Sequence, residues 1–228
     1  MFEIDYVQLN NLFDFQLAFE SLPFLLQGLP MTLILTIIGM LLGLILGFFL
    51  ALVRGSKLFI LRFTARTYIS FMRGVPMIVF LFLLYFGLPV IGIELTAFTA
   101  AALAFGLNSA AYIAEINRSA LNSVDIGQWE SAKALNLPYW LTMRKIILPQ
   151  AVRIAIPPLS NVLLSIVKST SLAAMITVPE LFQKAQIVAG RTFDSMTMYI
   201  LIALIYWPIC GAIAYMQDRL EDKYSQYL

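Results

Sequence analysis

Histidine is absent from the 228 residues, and cysteine occurs once, at Cys210. The first absence removes Ser-His-Asp catalysis, zinc-protease motifs and histidine ligation of a metal. The second removes any disulfide within the chain. Charge is scarce as well: Asp, Glu, Lys and Arg make up 12% of the residues, against 61% hydrophobic. Soluble domains carry roughly a quarter charged residues. Fifteen basic side chains nearly cancel thirteen acidic ones, for a formal net charge of +2. Such a composition excludes disorder, a disulfide scaffold and a nucleic-acid binder driven by bulk charge. It also supplies too little polar surface to cover a water-soluble particle, which leaves an integral membrane protein. A GxxxxGK[ST] phosphate loop is missing, and no Gly-Lys dipeptide occurs at all. The cradle and lysine for ATP binding of that type are therefore lacking.

What the sequence does have is long uncharged runs. No charge interrupts the 33 residues from Ser21 to Val53, the 20 from Gly74 to Ile93, the 20 from Leu95 to Ala114, or the 23 from Ser195 to Gln217. About 20 apolar residues carry a helix across the hydrocarbon. A fifth run, Ile154 to Pro179, is interrupted only by Lys168. The first run is too long for one straight span, so Ser21–Gly28 is expected as an interfacial or external segment before a helix over 29–53. Five spans follow: 29–53, 74–93, 95–114, 154–179 and 195–217. The basic residues orient them. Arg54, Lys57, Arg62, Arg66, Arg73, Arg118, Lys133, Arg144, Lys145, Arg153, Arg219 and Lys223 fall on one side, and only Lys184 and Arg191 on the other. The positive-inside bias then puts the N-terminus outside and the C-terminus in the cytoplasm. The first twenty residues hold no basic residue, so they lack the n-region of a cleavable signal peptide, and the first hydrophobic helix is expected to be an uncleaved, reversed anchor. No myristoylation or CaaX motif is present, and no internal repeat is evident. The chain reads as a single helical domain over 1–228.

Within the first span Gly39, Gly43 and Gly47 recur every four residues. This ridge lets another helix approach closely, either within the chain or across a dimer. The longest polar stretch, 115–153, contains Gln128–Leu137, which predicts a short helix ending at Asn136, a residue type suited to the left-handed conformation at a helix C-terminus. Tyr139–Leu148 predicts a second helix, stopped by Pro149. Two readings are open for this pair: a docking surface for another protein, or an interfacial hairpin.

Glu130, Ser131 and Ala132, followed by Asn136, Ile146, Leu148 and Pro149, resemble the EAA loop of permease subunits of binding-protein-dependent ABC importers. Ser131 stands where that motif has alanine and Asn136 where it has glycine; serine is small and asparagine tolerates positive φ. Arg73-Gly74-Val75-Pro76, Ala111–Arg118, Gly127-Gln128, Leu148–Ala151, Asn161 and Lys168–Leu172 resemble the polar amino-acid branch of that family. Ser21–Leu26, Tyr68–Ser70, Tyr85–Pro89, Pro157–Asn161, Val178–Phe182 and Leu204–Trp207 are similar to its L-cystine importers. The resemblance covers essentially the whole chain. It implies an all-α polytopic membrane protein of the ABC importer transmembrane-domain type, a transport subunit that is not itself an enzyme. The implied partners are a cytoplasmic ATPase dimer, an extracytoplasmic solute-binding protein and a second permease subunit, with a homodimer expected. No cofactor is expected on the chain, ATP and Mg being bound by the ATPase. The implied location is the bacterial inner membrane. Glu130, Ser131, Ala132, Asn136, Leu148 and Pro149 would form the ATPase-coupling element. The implied substrate is L-cystine or a related polar amino acid; glutamine or glutamate is the nearest alternative. A self-sufficient channel or ion-coupled carrier would call for intramembrane acids or a repeated half, and the spans hold one lysine and no acid away from their ends.

A lysine at the centre of a span costs about 2.5–3.5 kcal/mol on insertion scales. Lys168, with Ser169, Thr170 and Ser171 beside it, could attract a substrate carboxylate. It could equally pair with Glu115 or snorkel to the headgroups. Asn108, Ser109 and Tyr112 on the third span, and Asn161 and Ser165 on the fourth, are candidates for a polar pathway or for interhelical hydrogen bonds. Glu94 is read as an interfacial turn residue or a contact for the binding protein, and Arg73 as an anchor snorkelling at the inner interface.

Overall fold

The structure, a computed structural model, describes residues 13–225; the side chains of 220, 221 and 223–225 fall outside the description. The first twelve residues, part of the expected N-terminal outer segment, and the Lys223 side chain lie outside the described residues. Helices make up the described chain, which contains no strand.

Helix α1 (Phe15–Leu26) starts at Asp14, whose carboxylate accepts the Leu17 N–H at 2.9 Å. This short helix occupies the segment expected to precede the first span, and buries Ala18, Ser21 and Leu25 against α9 (Leu181–Thr192) and α10 (Ser195–Ser225). The chain turns at Gln27-Gly28 into α2 (Leu29–Arg54). A Cβ at Gly28 would lie 2.5 Å from the carbonyl carbon of Glu180, so only glycine fits that turn.

Helix α2 packs along α5 (Ala97–Asn122). The buried stripe Thr32, Leu35, Thr36, Gly39, Gly43 and Gly47 keeps a three-to-four-residue period and faces the alanine-rich side of α5. A methyl group at Gly47 would meet Ile113 Cβ at 2.9 Å, and one at Gly106 would meet Leu42 Cβ at 2.7 Å. The glycine ridge therefore serves contact within the chain. Without a strong hydrophobic drive between helices in lipid, such close backbone approach supplies the dispersion that holds them together. The Ser109 hydroxyl sits inside the seam, 2.7 Å from the Phe105 carbonyl and 3.1 Å from that of Gly39.

Among the described residues, four helical stretches are long and apolar enough to cross a membrane: Leu29–Arg54, Ala97–Asn122, Tyr139–Ile176 and Ser195–Arg219. A fifth crossing is broken: Phe59–Gly74 (α3) and Met77–Ile91 meet at 108°. The second stretch comprises α4 (Met77–Phe82), a π turn and a 3-10 turn. The uncharged run 74–93, expected as one span, is thus only its second half. Pro76 forces the break by driving Val75 to an extended ψ of 132°. Tyr68 donates to the Leu107 carbonyl and Asn108 to that of Met72, both at 2.8 Å, which pins α3 across α5.

Helix lengths exceed the charge gaps. Helix α5 runs on through Glu115 and Arg118 to Asn122, because a gap in charge measures the hydrocarbon, not the helix. Past it come α6 (Ile126–Ala134), α7 (Tyr139–Thr142), a π turn at Met143–Ile147 and α8 (Leu148–Ser169), extended by a 3-10 segment over Thr170–Ile176. Pro149 does not stop the helix as expected. It occupies the first turn of α8, where a missing N–H costs little, after a π turn that has already widened the ladder. Helix α8 runs antiparallel to α5: Ala120 shares a cluster with Ala151 and Ala155, while Phe105 and Ile166 both face Gly39.

Glu180 is fully buried, capping α9 by accepting the Gln183 N–H at 2.7 Å and the Tyr206 hydroxyl at 3.0 Å. The Leu181 N–H reaches Thr32, so α2, α9 and α10 meet at this polar knot. Glu180 lies outside the four span-length helices. Burial pushes its carboxyl upward, opposed by hydrogen bonds from Phe182, Gln183, Tyr206 and Thr32. A raised folded-state value makes stability fall as pH climbs through the ordinary carboxylate range, until the folded-state value is passed. Glu180→Ala is expected to cost about 1–3 kcal/mol, from the lost Tyr206 hydrogen bond and the lost cap. Glu180→Gln should flatten the pH dependence of the thermal midpoint; an unchanged slope would assign that dependence to other groups.

Candidate functional site

A concavity of about 680 Å³, with polar side chains set in a largely apolar lining, opens where the broken span passes α5 and α8. Arg73 and the Gly74–Met77 break form one wall, Asn108, Ser109 and Tyr112 a second, and Asn161, Ser165 and Ser169 a third. Four expected pathway residues, Asn108, Tyr112, Asn161 and Ser169, thus share one space. Asn108 is partly engaged by Met72, and Ser165 donates to the Asn161 carbonyl at 2.8 Å. The guanidinium carbon of Arg73, the expected interfacial anchor, sits 5.5 Å from the Tyr112 ring centroid, in cation–π contact. Pro76 carries a usable signal here, because a proline three residues on ends the helix just past Arg73. Pro157 and Pro158 in α8 have no backbone N–H to donate to the ladder, and Pro158 lines the cavity.

The cluster expected around Lys168 is not assembled. Consecutive helical residues point in different directions: Ser169 faces the cavity, Lys168 is exposed outside it, and Thr170 is buried beside Tyr206. Ser171 donates to the Lys168 carbonyl at 2.7 Å. Nor does Lys168 pair with Glu115. Antiparallel packing leaves them toward opposite ends of the helix pair, and Glu115 is held by Arg54 and, at 3.1 Å, by Arg118. Thr170 belongs instead to the Glu180–Tyr206 knot, which the sequence reading missed; Pro179-Glu180 before an apolar helix was its only trace, an acid in the N-cap position.

The second candidate site is α6 and its surroundings. Asp125 accepts the Gly127 N–H at 2.6 Å to start the helix. The end is a Schellman motif: Leu137 N–H bonds the Ala132 carbonyl at 3.0 Å, Asn136 N–H bonds that of Lys133 at 2.9 Å, and Asn136 takes φ 54°. Ala132 points inward, whereas Glu130, Ser131, Asn136, Leu148 and Pro149 are exposed. The Trp129 and Tyr139 rings stack with centroids 6.1 Å apart, tying the two short helices together. Below them Val124, Ile147 and Ala151 form a separate apolar cluster that joins α6 to the start of α8. Trp129 packs on this cluster, which connects α6 to the helix whose Pro158 and Asn161 line the cavity.

A helical membrane domain with a polar cavity and an outlying capped helix, and with no nucleotide-binding motif of its own, is the membrane-embedded subunit of a transporter. The chain belongs to the family of binding-protein-dependent transport system inner membrane components, which matches residues 43–226. It is 58% identical over 225 residues to a probable amino-acid ABC transporter permease protein, YckA, of Bacillus subtilis (strain 168), covering 99% of this chain and all of the relative. It is 41% identical over 207 residues to the L-cystine transport system permease protein TcyB of the same organism, covering 90% of this chain and 88% of the relative. A crystal structure of an amino acid ABC transporter with histidines superposes with a TM-score of 0.88 at 34% identity, over 92% of this chain and 98% of the other. The protein is thus a non-enzymatic permease subunit in the inner membrane, which works with a separate ATPase and a substrate-binding protein.

Proposed function

We propose that this permease imports L-cystine or a related polar amino acid as a homodimer. In this reading the N-terminus is outside, the C-terminus is cytoplasmic, residues 1–228 act as one permease domain, and ATP and Mg are held by the ATPase alone. The observation that carries it is a cavity of about 680 Å³ whose polar lining groups are the Arg73 guanidinium and the amide and hydroxyl groups of α5 and α8. An α-carboxylate suits the guanidinium through paired charge-assisted hydrogen bonds. Asn108, Asn161 and Ser169 suit the remaining polar atoms. Lys168, one residue from Ser169, draws the carboxylate toward the cavity, while Thr170 and Ser171 hold the helix end that carries it. The high identity to a cystine permease supports this substrate class. Reconstitution of the chain with its ATPase and binding protein is expected to give ATP-dependent cystine uptake; uptake by the chain alone would overturn the reading.

Helix α6 then serves as the ATPase-coupling element. Its exposed Ile126 and Leu135, with Trp140 nearby, give apolar surface for a cleft, and Glu130 and Ser131 a polar rim. Asn136 fixes where the helix ends, and Leu148 and Pro149 begin the helix that receives the motion. Rigid-body movement there alternates access. Glu130→Ala is expected to lower uptake about tenfold, the loss of one charge-assisted contact, with ATP hydrolysis retained. Equal uptake by this variant and the wild type would remove Glu130 from the coupling role.

A further inference from the structure

Helix α3 carries a surface that neither the cavity nor the coupling helix uses. It buries Ala65, Ile69 and Met72 and turns its opposite face outward. There a shallow groove of about 570 Å³ is walled by Phe63 and Phe71 and lined between them by Arg66, Thr67 and Ser70. Spacings of three and four residues put Phe63, Arg66, Thr67 and Ser70 on one side of the helix.

Two independent observations mark this groove as a place for an anion. The first is charge. No Asp or Glu occurs from residue 21 to 93. Arg54 lies within electrostatic reach of Arg66, Arg73 and Arg118, and the carboxylate among them, Glu115, is taken by Arg54 and Arg118. Lys57, Arg62 and Arg66 pair with no carboxylate among the described residues. The second is unused donors. Several helical hydroxyls elsewhere in the chain, among them Thr36, Ser160 and Ser165, donate to the carbonyl four residues back, while others such as Ser119 and Ser131 do not. The Thr67 and Ser70 hydroxyls make no such bond and have no partner among the described residues.

We propose that this groove binds the headgroup phosphate of an anionic phospholipid. The Arg66 guanidinium takes the phosphate oxygens in its planar fork, and Thr67 and Ser70 donate the remaining hydrogen bonds. Phe63 and Phe71 lie against the glycerol and upper acyl chains, as interfacial aromatics do. The apolar walls distinguish a lipid from a soluble anion, which would leave them unused. Phe59 extends the apolar surface, its ring stacked on Phe63 with centroids 5.9 Å apart. A second copy docking through the same face would set one Arg66 region against another, which like charge opposes.

The test is made on the full chain in phosphatidylcholine vesicles with trace spin-labelled phosphatidylglycerol or spin-labelled phosphatidylcholine. The readout is the motionally restricted fraction in the electron spin resonance spectrum. The wild type should select phosphatidylglycerol about fivefold from one basic contact. Arg66→Gln should bring the ratio down to about one, Arg66→Lys should keep part of it, and Thr67→Val with Ser70→Ala should lower it. Arg191→Gln, remote from the groove, should leave it unchanged. A ratio that Arg66→Gln does not move overturns the site. Displacement of the labelled lipid by millimolar glycerol phosphate would make it a soluble-anion site. Disulfide formation between copies carrying Ser70→Cys and Cys210→Ser would show a second copy on this face; either result overturns the proposal.

Discussion

Gly47→Val is expected to prevent assembly of the α2–α5 pair and so abolish folded protein in the membrane. At this position even a single methyl carbon would stand 2.8 Å from Ile113 Cγ2, 2.9 Å from Ile113 Cβ and 3.0 Å from the Ala110 carbonyl oxygen. Two of these atoms are stiff, one at the branch point of a β-branched side chain and one in helical backbone. Rotation of a side chain cannot clear them; the helices must separate. Separation loosens the seam at Gly43 and Gly39 as well, where Ser109 and Phe105 are the opposing residues. Overpacking in a core costs about 1–3 kcal/mol where neighbours can shift, and valine adds two carbons beyond the clashing one. Gly47→Ala should be milder but still destabilising. The decisive comparison is rescue: Ile113→Ala removes the opposing branch, so Gly47→Ala with Ile113→Ala should recover thermal stability that Gly47→Ala loses. If Gly47→Val gave wild-type amounts of folded, detergent-stable protein, the seam would not depend on this close approach.

The same seam shows why some of the architecture could be read in advance. Glycines at intervals of four in an apolar run have few uses besides close helix contact, and α5 supplies the matching small residues, so the ridge was legible from one helix alone. Asn136 was legible for a similar reason: a short polar helix with asparagine near its end points to a left-handed residue. The broken span was not legible in the same way. Arg62, Arg66 and Arg73 look like loop charges when spans are located by charge gaps, yet they ride on a helix whose other face is buried. The charges of Arg66 and Arg73 line a groove and a cavity, which only the tertiary packing creates. Lys168 shows the converse. Its rarity inside a span drew attention, but the direction it faces depends on the rotation of α8, and its serine and threonine neighbours point elsewhere. The Glu180 knot was hidden because its partners, Thr32, Thr170 and Tyr206, lie on three separate elements. One-dimensional spacing finds residues that share a helix face; it does not find those that three helices bring to one point.

Arg73→Ala is expected to lower the rate of amino-acid uptake at limiting substrate by about a hundredfold. A charge-assisted hydrogen bond to a carboxylate contributes roughly 1.5–3 kcal/mol, and the guanidinium can make two in parallel. The loss should appear mainly as a raised apparent KM, since binding is removed while the path to α6 is left intact; basal ATP hydrolysis should stay near the wild-type value. Arg73→Lys keeps the charge but gives up the planar fork and its seating over Tyr112, 5.5 Å from the ring centroid, so an intermediate loss is expected. Tyr112→Leu should act in the same direction but less, because it frees the guanidinium without removing it. A substrate analogue separates anchoring from a general structural role. The dimethyl ester of cystine lacks both carboxylates, so the wild type should discriminate strongly against it as a competitor of uptake, and Arg73→Ala should not. Retained discrimination in Arg73→Ala would move carboxylate recognition to another residue, with Lys168 the next cation to test.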